Sequence, residues 1–216
     1  MGFDPVEDKV VPKPLRIIGK VLKYTFLSAV ALMIIWFSIR SCYQDGTAKM
    51  KKYMWTEKAV EMSNNGGITV KRLTEYQDPK LSSLFFISRI YYTQEIGQLQ
   101  FMVRYNTLNQ EYKDMLDENG KAQFVFELTD NEGTHYTEYQ YITDSALMYK
   151  YFRIAFEDID LTCLSKLHLK IYLVTPEEDV HVGSCIVWEK DVPTRDYDPG
   201  KASKPNASIK YGEKTE

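Results

Sequence analysis

The stretch KLHLKIYLVTPEEDVHVGSCIVW, residues 166–188, decides the fold. In its first nine residues Leu167, Leu169, Ile171 and Leu173 alternate with Lys166, His168, Lys170 and Tyr172, the two-residue period of a strand with one buried face. Residues 180–188 are again rich in β-branched and aromatic side chains. Thr175, Pro176, Glu177, Glu178 and Asp179 between the two runs are turn formers, so the spacing predicts an antiparallel hairpin. That register puts Cys185 near Leu169 and leaves Cys163 about six residues further along, roughly 20 Å away at about 3.3 Å per residue. A disulfide needs α-carbons within about 4.4–6.8 Å, so no Cys163–Cys185 bridge is expected. With Cys42 the chain has three cysteines, and they do not identify a redox compartment.

The same strand pattern extends upstream. Residues 68–73, 98–105, 123–128, 135–137 and 152–156 read as strands, and 129–134, with Asn131 and Gly133, reads as the turn of a second hairpin. Other turn signals fall at 117–120 and 157–160. Six to eight short strands so punctuated predict a mainly β fold: an antiparallel, immunoglobulin-like β-sandwich over residues 68–189. A small open barrel is the alternative. The expected inward set is Phe101, Val103, Phe124, Phe126, Leu128, Ile154, Phe156, Leu167, Leu169, Ile171, Leu173, Val182, Ile186 and Trp188. Residues 81–92 read as a short helix passing into a strand, with Asp78 and Pro79 before it.

Before this head, residues 24–39 carry no charge and are fenced by Lys20, Lys23 and Arg40. Counted from Val21 the apolar stretch would cover roughly 28 Å at about 1.5 Å per residue, enough for a hydrocarbon core of about 30 Å if Lys23 reaches the head groups. A transmembrane helix over 15–41 is therefore expected, touching lipid through 21–39. Phe37, Ile39 and Arg40 leave no small-residue exit for a signal peptidase. Arg40 also argues against a lipoprotein signal ending at Cys42. Five basic residues precede the span (Lys9, Lys13, Arg16, Lys20, Lys23) and four follow it (Arg40, Lys49, Lys51, Lys52). This slight bias, with two lysines closest on the N-terminal side, favours a cytoplasmic N-terminus and an extracytoplasmic head at a cell membrane.

Residues 1–14 then form a cytoplasmic tail and 42–67 a juxtamembrane helix and connector. Asp45 and Gly46 are expected to break the chain. A helix over 47–63 is expected to be capped by Thr47 and stopped at Asn64, Asn65, Gly66 and Gly67. Residues 190–216, rich in charge, Pro and Gly, read as a disordered tail. The formal net charge of -3, with 44% hydrophobic and 26% charged residues, gives no support to nucleic-acid binding.

No catalytic or cofactor signature accompanies this architecture. The hairpin register keeps His168 and His181 apart, and His135 lies on another hairpin, so no metal site is expected from them. Acidic runs at 114–118, 157–160 and 177–179 lack the spacing of a calcium loop and read as solvated turns. Tyrosine is in excess, with 16 residues. Tyr136, Tyr139, Tyr141, Tyr149 and Tyr151 lie close together and form the candidate partner-binding set, because tyrosine offers a wide amphipathic surface with few rotors to freeze. The expected function is a single-pass, non-enzymatic binding or scaffolding protein that presents a β-sandwich to a protein or cell-envelope partner, with no cofactor. The alternatives are a membrane-anchored hydrolase with converging carboxylates and a cytoplasm-facing tethered adaptor.

Overall fold

The computed structural model describes residues 13–73, 84–109, 113, 123–146, 148–176 and 178–214, excepting the side chains of 13, 15, 16 and 42–47. The turn expected at 117–120, the acidic run at 114–118 and the start of the 81–92 segment lie outside the described residues. The chain divides into two compact units, Met1–Gln44 and Asp45–Glu216.

A single helix, α1 (Lys13–Met50), carries the apolar segment. Within it Ile17–Ser41 is long and apolar enough to cross a membrane, and none of that window is covered by protein. At about 1.5 Å per residue its 25 residues would extend roughly 37 Å. The break expected at Asp45 and Gly46 does not occur. One glycine costs a helix only about 1 kcal/mol relative to alanine, less than the cooperativity gained by continuing.

The head is built of antiparallel sheets. Its strands are β1 (Val70–Leu73), β2 (Phe85–Thr93), β3 (Gln98–Asn106), β4 (Gln123–Asp130), β5 (His135–Tyr136), β6 (Glu138–Ala146), β7 (Tyr149–Phe156), β8 (Lys166–Val174), β9 (Asp179–Glu189), β10 (Thr194–Tyr197) and β11 (Lys210–Glu213). Seven of them form one sheet in the order β10-β1-β2-β3-β7-β6-β11, and four form the other as β5-β4-β8-β9. One core lies between the sheets: Phe101, Val103, Ile154 and Phe156 of the larger meet Phe126, Leu128, Leu169 and Ile171 of the smaller. Edge-on ring contacts seal it, among them Phe124–Phe85 at 5.0 Å and Phe126–Phe152 at 5.2 Å between centroids. Such pairs stabilise by about 0.5–1.5 kcal/mol beyond their area.

The decisive hairpin forms as β8 and β9, with Leu169 opposite Cys185. Cys163 sits in an exposed turn before β8, and no disulfide joins it to Cys185. The inward set needs one correction. Ile186 is only half-buried, while Val187 and Trp188 are both buried. A bulge pairs Leu167 with Trp188 and His168 with Ile186, so one extra residue reverses the alternation. Val182 is likewise only partly buried at the rim of the core.

The juxtamembrane region also differs from expectation. Helix ends at Met50, residues 51 and 52 turn, and 53–56 are non-helical before α2 (Glu57–Asn65) begins. Thr56, not Thr47, caps the second helix, its hydroxyl accepting from the Ala59 amide at 3.4 Å. Residues 50–56 form a strap across the face of the larger sheet that points away from the core. Met50 packs with Met102 and Tyr151, Met54 with Ile142 and Ala155, and Tyr53 and Trp55 with Val70 and Tyr91. Polar side chains supply the hydrogen bonds that a helix would have made internally. The Gln100 amide accepts from the Met54 N–H at 2.8 Å and donates to the Met54 carbonyl at 2.7 Å. Asn206 clasps Trp55 with one side-chain and one backbone bond: its Oδ1 accepts the Trp55 N–H at 2.6 Å, and its backbone N–H donates to the Trp55 carbonyl at 2.9 Å. Tertiary contacts therefore override the helix-forming composition of residues 51–56.

Residues 190–216 are not a loose tail through their described part. β10 adds to β1, β11 adds to β6, and Asn206 clasps the strap. Strand pairing and the Asn206 contacts satisfy the backbone of a segment that has little apolar content of its own.

Candidate functional site

Tyr136, Tyr139, Tyr141, Tyr149 and Tyr151 do not share one surface. Tyr139 is buried in the core between the sheets, with Tyr136 and Tyr141 packed partly against it. Tyr151 is fully buried on the other face of the larger sheet, against Met50 and Met102, with Tyr149 at its margin. Strand alternation is the cause: Tyr149 and Tyr151 of β7 point opposite to Phe152, Ile154 and Phe156. Three of the five are thus directed to the core and two to the strap side.

Two of them, Tyr136 and Tyr139, line a cleft of about 750 Å³. The other lining residues include Lys58 of α2, Gln140 of β6, Glu157 and Asp158 after β7, and Tyr211, Gly212 and Glu213 of β11. Cross-strand register explains the grouping. Gln140 is opposite both Ala155 and Tyr211, and Glu138 is opposite Glu213, so these side chains share one face of the sheet. It is the face that carries the strap, because Ala155 touches Met54.

Lys58 and Glu157 form the polar wall. Lys58 Nζ lies 3.0 Å from Glu157 and 3.3 Å from Asp158. The hydrogen bond to Glu157 is the main cause that lifts the lysine above its ordinary pKa, against the opposing effect of burial. Glu157 Oε1 also accepts from the side-chain amides of Gln98 and Gln140, each at 3.1 Å. This carboxylate therefore ties α2 to β3 and β6. Gly212 is required opposite Tyr139, since a Cβ there would fall 2.4 Å from the Tyr139 ring on the core side of the sheet. Tyr211 beside it is 72% exposed.

His135, at the cleft margin, pairs with Glu127 of β4. Glu127 holds a polar position in the alternation yet is only 2% exposed. Lys214, 3.3 Å from its Oε2, and Lys170, 3.9 Å from its Oε1, enclose it. Burial raises the carboxyl pKa, but the His135 hydrogen bond and the Lys214 and Lys170 charges outweigh that and hold it below the ordinary value. Lys214 also lies 4.4 Å from the centroid of the Tyr172 ring. Burial, followed by the charge of Glu127, pushes the Tyr172 hydroxyl up to about 12. Alternation with Phe126 and Leu128 leaves Glu127 on the outer face of β4, and one of the lysines that cover it there arrives from the far end of the chain.

His168 and His181 lie on adjacent strands but are out of register: His168 faces Ile186 and His181 faces Tyr172. Among the described residues, no three His, Cys, Asp or Glu side chains converge as a metal-binding group. In comparisons with known proteins the chain matches no family model, no curated protein and no solved structure.

Proposed function

We propose that this chain is a single-pass, membrane-anchored, non-enzymatic binding or scaffolding protein whose β head meets a protein or cell-envelope partner outside the cytoplasm. The observation that carries the reading is the contrast between the two units. Along Ile17–Ser41 large apolar side chains such as Phe26, Leu32, Ile34 and Trp36 are at least 60% exposed, whereas the head encloses its own apolar residues in a core. Each such side chain gains about 1.5–3 kcal/mol on leaving water, so lipid is the fitting surroundings for the helix. The two antiparallel sheets closing over one core support a sandwich of immunoglobulin-like architecture, a frame that presents edges and loops to partners. The tethering supports contact at a membrane surface as the head's work.

Cross-linking in intact membranes, gentle solubilisation and recovery through this chain should yield a stoichiometric partner. Repeated recovery of the chain alone would overturn the reading. External protease applied to sealed cells should cleave the head beyond Tyr43; protection would instead place it in the cytoplasm as a tethered adaptor.

A further inference from the structure

We propose that the cleft beside β11 is a docking groove for an extended basic peptide, which lies along the edge of β11 and sets an arginine or lysine between Glu138 and Glu213 and against Tyr211. The inference rests on the reading of the chain as a binding protein and names the chemistry of its partner.

The charge pattern comes first. Glu138 and Glu213 are direct cross-strand neighbours, both exposed. Like charges so placed destabilise an antiparallel pair. Among the described residues neither carboxylate has an ion-pair partner; the cleft's one lysine, Lys58, is engaged by Glu157 and Asp158. The floor therefore holds two carboxylates whose repulsion a cation from outside would relieve.

The shape points to the same occupant. A cleft of about 750 Å³ is within the range of about 300–1,000 Å³ typical of ligand sites. β11 ends the strand order of the larger sheet, so its outer ladder edge is open to an added strand among the described residues. Tyr211 and Glu213, two residues apart, face the cleft together. A guanidinium can stack on the tyrosine ring while donating to the carboxylates. A bound metal ion fits less well, because no third ligand from His, Cys, Asp or Glu joins the pair among the described residues.

The test uses the full chain in nanodiscs of neutral phosphatidylcholine and a fluorescent octapeptide with arginine at alternate positions. Saturable binding that weakens with added salt is expected, with no binding by the same peptide carrying glutamate for arginine. The Glu138→Gln/Glu213→Gln variant should bind roughly tenfold more weakly, as two exposed ion pairs allow. It should keep or slightly raise its melting temperature, since the like-charge pair is gone. Tyr211→Ala should also weaken binding. Equal binding by wild type and the double variant, equal binding of the acidic peptide, or binding of calcium but not of the basic peptide would each overturn the inference. If cross-linking recovers a partner while the double variant binds the peptide like wild type, the groove fails and the anchored-binder reading stands. If peptide binding is lost in the variant and no partner is ever recovered, the groove stands and the scaffolding role fails.

Discussion

Glu127 is the single side chain on which the smaller sheet's outer surface turns. Its carboxyl titrates lower in the folded head than its ordinary value of 4.5, despite the burial that pushes the other way. The unfolded chain therefore takes up this proton more readily than the folded one. The stabilisation is present above about pH 4.5 and declines as pH falls through the folded value. Glu127→Gln should flatten the acid limb of stability against pH, read by urea unfolding between about pH 3 and 6; an unchanged slope would show that the carboxylate does not carry it. This residue was hidden in the sequence. The run Phe124-Val125-Phe126-Glu127-Leu128 announces a strand, but alternation with Phe126 and Leu128 leaves Glu127 on the outer face, whereas the structure buries all five residues. Lys214, brought back by β11, encloses it together with His135 and Lys170.

At the scale of elements, the strap is the unforeseen piece. Gln98 and Gln100 occupy polar positions of a strand whose alternation was legible, yet both are buried, because residues 50–56 lie across them. Gln100→Leu would strip two hydrogen bonds from Met54 and leave a buried N–H and carbonyl unmet, at about 1–3 kcal/mol each. The head should lose roughly 2–4 kcal/mol of stability, with faster hydrogen exchange at Met54 and Trp55. Full retention of their protection would mean that the amide contacts are dispensable. Asn206→Ala should act on Trp55 in the same direction. Of the readable strands, β3, β4, β7, β8 and β9 each run eight residues or more, whereas the short β1 and β5 were marked by β-branched content and by the turn at 129–134, and the nine-residue β6, strewn with Tyr, Gln, Thr and Asp, was not read. β10 and β11 have four residues each, too few for a period to stand out from charged loop sequence. The candidate cleft was unreadable for the same reason, since three of its lining residues lie on β11.

For the whole molecule, two buried tyrosines and a half-buried one set the alkaline limit. Burial, before any other cause, pushes Tyr53, Tyr139 and Tyr172 up to about 12 from 10.0. Neutral tyrosine is favoured in the folded head, so this contribution is complete below about pH 10 and disappears as pH rises toward 12. The head should therefore unfold cooperatively in that interval, with tyrosinate absorbance rising together with loss of circular dichroism. Independent, gradual ionisation of the folded protein would contradict the burial of these rings. The three sit in different places, in the strap, the core and the outer side of the smaller sheet, so all three layers give way together.

The pairing of β1 with β10 has a consequence during synthesis. Val70 meets Tyr197, and Trp55 meets Asn206, so early residues leave the ribosome long before the partners that complete them. Until then β1 lacks one neighbour and the strap one of its clasps. The nascent head would wait with that face unfinished, which makes the interval one in which a chaperone would be needed.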